Sequence, residues 1–570
     1  MISNRFESLC SYLARLSPWD GSTDADIDRA IGFLDGDIDS TVITRGANGA
    51  AVLWCLVALL GVSVAPRPLR LIAGGFLVAL GVGFSALIRR VPELLAAAKR
   101  TQALGDAPDL AARAVLWMRI EPTAEGAAAF AARTGDGLLA ASLDDHVRRA
   151  AGSPMAGLTT FAAEWDRWNP ALHRSMVLIA AASEAPPEER TRTLDRALTA
   201  ILDGTRERMA EFVGEIRGPA TALYAFGVLL PLALVAVLPA ARTAGLPMSP
   251  AALVVTYDFV LPALLLGASV WLLTRRPVAF PPPDVSRSHP DVPEKRWPAT
   301  ALGLGTSAVA LIATPFLLPE WTRWVAGFGC LVGTLLVGFT RPTVLVRNRV
   351  RAIESNLTDA LYLVGRRVRK GLAAEAAIVA AADELTGETG AVFEQATGVQ
   401  RRLGMGVEES FLGEYGSLST VPSPRARSAV SLLALSADEG RPAGGAVLAM
   451  ADHLDDLQSV ERDARRELSQ VTETLRHTAA IFGPLVSGAT VALAGGMAGM
   501  GGSFGNAFPV DVLGLAVGAY VLCLSAIVTA LAVGLEHGLD RTLVGYRVGQ
   551  SVLSATAVYL LAFALAGSLT

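Results

Sequence analysis

From Ala446 to Phe482 the chain contains neither glycine nor proline. Within the wider run Gly444–Phe482, Val447, Met450, Leu454, Leu457, Val460, Ala464, Leu468, Val471 and Leu475 recur at steps of three and four. That spacing sets them on one stripe of a single helix whose other faces are charged. At 1.5 Å per residue the helix is about 55 Å long. Its last turns pass into an apolar segment that begins near Ala479. A stalk tying a water-exposed helical body to a membrane helix accounts for this. An amphipathic helix beside an unrelated span is the plainer alternative. The rest of the chain favours the stalk, because the arrangement occurs twice.

Of 570 residues, 52% are hydrophobic and 18% charged, with a mean hydropathy of +0.43. The chain is too apolar for an ordinary soluble protein and too charged for membrane spans alone, so its charges must be concentrated between apolar runs. A net charge of −4 implies neither nucleic acid nor an anionic membrane surface as a partner. Cys55, Cys330 and Cys523 fall inside apolar runs and Cys10 stands alone, which leaves no disulfide framework and no CxxC metal spacing. Residues 1–46 have no apolar h-region, so the first membrane helix, not a cleavable signal, is expected to direct insertion.

Read in order, the chain is an all-α integral membrane protein with about nine transmembrane helices and two duplicated cytoplasmic helical-bundle domains. Residues 1–46 form a polar N-terminal segment with helical pieces at Phe6–Leu16 and Asp24–Leu34. A membrane hairpin, 47–88, precedes the first cytoplasmic domain, 89–217. A second hairpin, 218–273, leads to a Pro-rich linker, 274–298, expected to be extended. A third hairpin, 299–340, precedes the second cytoplasmic domain, 341–480. A fourth hairpin, 481–535, a cytoplasmic loop, 536–551, and a last span, 552–570, complete the layout. Each apolar run is roughly long enough for about 30 Å of hydrocarbon.

Arg89, Arg90, Arg275, Arg276, Arg341, Arg347, Arg349, Arg351, Arg541 and Arg547 flank the spans on one side, against Arg67, Arg70, Arg242 and Arg323 on the other. The positive-inside rule then puts the N-terminus and both large domains in the cytoplasm. The repeat extends to sequence. The first domain ends on a stripe of Leu198, Ile201, Thr205, Met209, Phe212 and Ile216, in register with Leu457, Val460, Ala464, Leu468, Val471 and Leu475, and Arg217 matches Arg476. Upstream, GDGLLAASL at Gly135–Leu143 matches GMGVEESFL at Gly404–Leu412. Both copies start from the same side, unlike the inverted repeats of many transporters.

VRKGLAAEAAIVAAADE at Val368–Glu384, ADEGRPAGGAVLAMADHL at Ala437–Leu454 and the stalk that follows resemble the type II secretion system F family, most clearly over about Leu357–Met500. These are the membrane platform proteins of secretion systems, type IV pili, tight-adherence pili and archaella. The long N-terminal half and about nine spans look most like archaeal pilus or archaellum platforms. The resemblance implies a non-enzymatic scaffold in the cell membrane with six-helix cytoplasmic bundles. It implies a hexameric secretion ATPase and pilin or prepilin-like subunits as partners, and a homo-oligomer at the filament base.

The residues offer few sites. The only lysines are Lys99, Lys295 and Lys370, and none completes a GxxxxGK[ST] loop, so nucleotide hydrolysis is not expected. The histidines show no HxxxH or HExxH, the serines no GxSxG elbow, and no cofactor is expected. GGMAGMGGSFG near Gly495–Gly505 reads as close helix packing through small residues. Arg366, Arg367, Arg369 and Lys370 form either an ATPase-docking patch or a solvated helix end. Asp438, Glu439, Asp452, Asp455 and Asp456 meet basic ATPase loops, solvate the bundle, or pair with the chain's own arginines at helical spacing. Asp258, inside VVTYDFVLPALLLG, is an intramembrane pilin contact, a buried hydrogen-bonded packing residue, or shallow enough to reach the interface. The competing function is a multi-span transporter or channel with cytoplasmic helical domains. It needs polar groups near the midplane of both halves, and Asp258 has no equivalent in the last spans.

Overall fold

A computed structural model describes residues 2–34, 39–64, 70–135, 137–150, 157–243, 250–276, 285, 289–293, 296–439, 443–500, 509–538 and 540–569. Among these residues the regular structure is helical throughout, with no strand. The chain divides into two compact units, Met1–Ala103 and Leu104–Thr570.

The first unit holds α1 (Ile2–Ala14), α2 (Ala25–Leu34), α3 (Ser40–Val64) and most of α4 (Arg70–Gly105). The N-terminal residues are not a free polar segment. Cys10 and Leu13 of α1 share a small core with Ala47, Ala50 and Ile88, while Ile27 and Ile31 of α2 pack with Ile43. Gly46 and Gly49 let α1 lie against α3: a Cβ at Gly49 would collide with the Leu13 carbonyl. Ser85 donates to the Ala47 carbonyl at 3.0 Å, and Arg89 to Asn48 at 2.7 Å, which ties α4 to α3.

The second unit begins with α5 (Ala107–Ile120), α6 (Ala124–Thr134), α7 (Gly137–Ala150), α8 (Gly157–Trp165) and α9 (Pro170–Ala182). The long α10 (Pro187–Tyr224) follows, then α11 (Leu230–Thr243), α12 (Pro250–Val254), α13 (Leu261–Thr274) and α14 (Trp297–Leu317). Next come α15 (Thr322–Arg369), α16 (Ala374–Ala382), α17 (Gly387–Leu403), α18 (Val407–Leu412) and α19 (Pro424–Glu439). The second stalk, α20 (Ala443–His477), leads to α21 (Gly483–Met500), α22 (Val510–His537) and α23 (Arg541–Leu569). Local chemistry sets many of these ends. Asn169 caps α9 by accepting from the Leu172 N–H at 3.0 Å, with Pro170 in the first turn. Ser423 does the same for α19 through Ala426 at 3.1 Å. Gly371, at φ +97, closes α15: its N–H donates to Val368 and that of Leu372 to Arg367, the pattern that satisfies the last carbonyls of a helix.

Among the described residues seven helices are long and apolar enough to cross a membrane, and they lie within 187–235, 250–274, 297–317, 322–369, 444–496, 510–537 and 541–568. The other two expected runs fall in α3 and α4, where residues 65–69 and many side chains lie outside the described residues. The expected boundary between the third hairpin and the second domain falls mid-helix. α15 continues through Arg341 and Pro342 as one 48-residue helix. Most of the Pro-rich linker lies outside the described residues, but His289 bonds the Thr420 carbonyl at 2.7 Å and Asp291 faces Arg349 at 3.6 Å.

Two cores result. One fills the bundle of α15–α20, with Phe393 edge-on to Phe411 at 5.3 Å, and admits Leu116, Phe130 and Leu202 from the preceding helices. The other surrounds α22, which is buried along its length against α13, α20, α21 and α23. Apolar burial supplies no net drive between helices in lipid, so close packing there relies on small residues. A Cβ at Gly333, Gly514 or Gly518 would come within 2.7 Å of Leu553, Trp321 or Val325. Gly495 approaches Val510, while residues 501–508 of the GGMAGMGGSFG segment lie outside the described residues.

Candidate functional site: the joints between stalks and membrane helices

The two stalks pack along each other. Met209, Phe212, Val213 and Ile216 of α10 share a core with Ala464, Leu468 and Leu475 of α20. The stripes expected from sequence are the buried faces. Leu198, Thr205 and Val471 are half-buried and the other nine residues buried.

Neither stalk enters its apolar segment as an uninterrupted α-helix. A π-helical turn at Ala225–Leu229 joins α10 to α11, and another at Thr478–Phe482 joins α20 to α21. The cause is a proline just beyond each turn, Pro231 or Pro484. Proline offers no N–H to the carbonyl four residues earlier and crowds it, and the wider turn relieves the crowding. The abandoned carbonyls find hydroxyls from other helices. Tyr520 of α22 donates to Gly227 at 2.8 Å, and Ser554 of α23 donates to Ala480 at 3.2 Å. A third π turn, Val255–Val260, precedes Pro262 in the partner helix of the first joint. From it Tyr257 donates to the Pro231 carbonyl at 2.8 Å, with its ring edge-on to Tyr520 at 5.4 Å. Two tyrosines thus hold the first joint.

Just outside the apolar segments a polar belt connects the same helices. Arg347 of α15 is paired with Asp540, and Asp540 also caps α23 by accepting from the Thr542 and Leu543 N–H groups at 2.9 and 3.3 Å. Thr472 of α20 donates to Glu536 at the end of α22. Deeper in the bundle Arg425 lies between Glu461 at 3.2 Å and Glu354 at 3.8 Å. Burial works against its charge, but Glu461, Glu354 and Asp109 more than offset that and hold its pKa above the ordinary arginine value. His453 is fully enclosed on α20, and among the described residues neither ring nitrogen has a hydrogen-bond partner. Burial lowers its pKa to about 4, with Asp109 acting to raise it and Arg425 to lower it.

The residues singled out from sequence are dispersed relative to these joints. Arg366, Arg369 and Lys370 are exposed at the end of α15, whereas Arg367 is paired with Glu384. On α20, Asp452 accepts from Tyr362, Asp455 faces Arg462 at 3.8 Å, and Asp456 is exposed near Arg206 of α10. Partial desolvation raises the pKa of Asp456, with Arg206 opposing. Asp438 and Glu439 end α19, and their side chains lie outside the described residues. Asp258 is half-buried in the third π turn, its Oδ1 enclosed without a hydrogen-bond partner among the described residues. In the sequence the tyrosine and serine donors are marked only by the prolines inside apolar runs. No protein-family model, curated protein or solved structure matches this chain.

Proposed function

We propose that the chain is an inner-membrane platform protein of a type IV pilus-like or type II secretion-like machine. In this reading it has about nine spans, with the N-terminus and two duplicated domains in the cytoplasm. It couples a hexameric secretion ATPase to pilin extraction and filament assembly, and performs no catalysis of its own. One observation carries the reading: two long amphipathic stalks lie packed together, and each is continuous, through a proline-linked π turn, with an apolar helix. A rigid pair of that kind transmits a tilt or rotation, which loops would absorb by bending. The duplication is supported by helix order, six helices in α5–α10 and six in α15–α20. The matched segments at Gly135 and Gly404 begin α7 and α18, one step out of that order, so the copies have drifted in mid-bundle. Exposed Arg366, Arg369 and Lys370 are the proposed ATPase contact, and Asp258 the proposed pilin contact. A Gly-rich insertion beside Ala464 tests the coupling: expression is retained and filament assembly lost. Wild-type filament output from that insertion refutes it.

A further inference from the structure

In the first unit α1 ends where α3 turns apolar, and it leaves one flank uncovered there. The two helices run parallel, with Cys10 over Gly46 and Leu13 over Gly49. On α3 that contact face continues at steps of three and four through Leu53 and Leu56, which are exposed. So α1 covers α3 up to about the level of Gly49 and leaves the apolar part of the same face bare. The chain turns back at that level. The buried Ser17 hydroxyl donates to the Trp19 carbonyl at 2.9 Å and accepts from the Trp19 N–H at 3.3 Å. Asp20 then faces Arg45 at 3.9 Å, and Thr44 donates to the Ser22 carbonyl at 2.9 Å, further down α3. The turn is thus pinned, with the Trp19 side chain exposed at its tip. Leu9, Tyr12 and Leu16 form an exposed stripe along the flank of α1 that leads to it. Exposed Arg89, beside exposed Arg90, donates to Asn48 at 2.7 Å, so two cations lie close to the level of the turn.

We infer that the end of α1 and the turn after it seat in the headgroup layer of the bilayer that α3 enters, through Leu16 and Trp19 with Tyr12 one turn behind. Tryptophan and tyrosine favour that layer because their rings are apolar and their N–H or O–H is polar. Arginines at the same level attract the lipid phosphates. The layer is about 6 Å deep on each side of the hydrocarbon. One helical turn rises about as much, so Tyr12 and Leu16 fit within it together. A lipid surface suits this flank better than a second protein does. Exposed Leu53 and Leu56 continue the α3 face beyond the tip, and a membrane covers them as well, whereas a protein docked on α1 alone does not. The inference rests on α3 crossing the bilayer, as the scaffold reading has it.

The test uses the full-length protein in vesicles of phosphatidylcholine and phosphatidylglycerol, with Cys55, Cys330 and Cys523 replaced by alanine and buried Cys10 left in place. A fluorophore is attached to a single cysteine introduced as Trp19→Cys, Ser8→Cys or Leu56→Cys, all at exposed positions. Quenching is read with iodide on both sides of the vesicle and with a phospholipid that carries a nitroxide near the top of its acyl chain. The label at position 19 loses most of the iodide quenching seen at position 8 and gains quenching by the nitroxide, and the label at position 56 is closed to iodide. Iodide quenching at 19 as strong as at 8, with 56 closed, overturns the anchor and leaves α3 as a span. Strong iodide quenching at 56 overturns the span and the anchor with it. A label at 19 that neither quencher reaches is covered by protein, which overturns lipid as the occupant. Where Trp19→Cys does not fold, Leu16→Cys at the same tip carries the measurement.

Discussion

Arg347 and Asp540 form an ion pair whose side chains are 10% and 2% exposed, and it fastens the polar continuation of α15 to the first turn of α23. Salt barely screens a pair so enclosed, and removing one partner strands the other charge. Asp540→Asn keeps the helix cap and loses the charge, and is expected to destabilise the protein by about 3–5 kcal/mol. Asp540→Ala costs about 1 kcal/mol more, because the cap goes too. Combining Arg347→Met with Asp540→Asn recovers most of the loss, since neither charge is left buried alone. Unfolding in mixed detergent micelles measures all three; a double variant as weak as the single one counts against the account.

The two joints allow a double-mutant cycle. Tyr520→Phe leaves the Gly227 carbonyl without its hydroxyl and is expected to cost about 1–3 kcal/mol. In a Pro231→Ala background the backbone regains an N–H, the α-helical register returns, and Tyr520→Phe becomes nearly neutral. Ser554→Ala and Pro484→Ala form the same cycle at the second joint, with a smaller term for its longer 3.2 Å bond. Additive effects in both cycles are the outcome that sinks the link between proline, carbonyl and hydroxyl.

The stalks and membrane runs were legible because their signal is local. A stripe of apolar residues at steps of three and four, uninterrupted from Ala446 to Phe482, has few other solutions. The π turns were not legible, since a register slip inside a uniformly apolar run leaves its periodicity intact. Only Pro231, Pro262 and Pro484 mark them. The Arg347–Asp540 pair was also hidden, as its members are distant in sequence and each has an innocent local reading. Arg347 counted as one more cytoplasmic arginine, and Asp540 as part of a short loop. The packing of residues 2–34 against α3 had a signal in Gly46 and Gly49, which admit a close helix.

His453 predicts a stability that depends on acid. Its unfolded pKa is near 6.5 and its folded value about 4, so the folded protein keeps the ring neutral. The contribution is full above the unfolded pKa and is lost as pH falls through the folded one, because the unfolded chain takes a proton that the fold refuses. The loss between those values is about 3 kcal/mol. His453→Leu removes it, so the melting midpoint of the variant varies less between pH 7 and pH 5 than that of the wild type. The same acid slope in both proteins rules out His453 as its source.

Stability and partner binding separate at the end of α15. Arg366, Arg369 and Lys370 are exposed and make no ion pair among the described residues, whereas Arg367 is paired with Glu384. Replacing the three exposed cations with glutamine changes stability by no more than about 0.5 kcal/mol, as for other surface positions. If they meet an acidic surface of the ATPase, the same variant loses most of its association, and wild-type binding weakens with added salt, since exposed pairs are screened. Pull-down of the ATPase by full-length protein in detergent, at two salt concentrations, reads both effects. Salt-independent binding, or full binding by the triple variant, moves the contact elsewhere on the bundle. Arg367→Gln is the control with the opposite expectation. It breaks an intramolecular pair and so lowers stability modestly, while the exposed cations still bind.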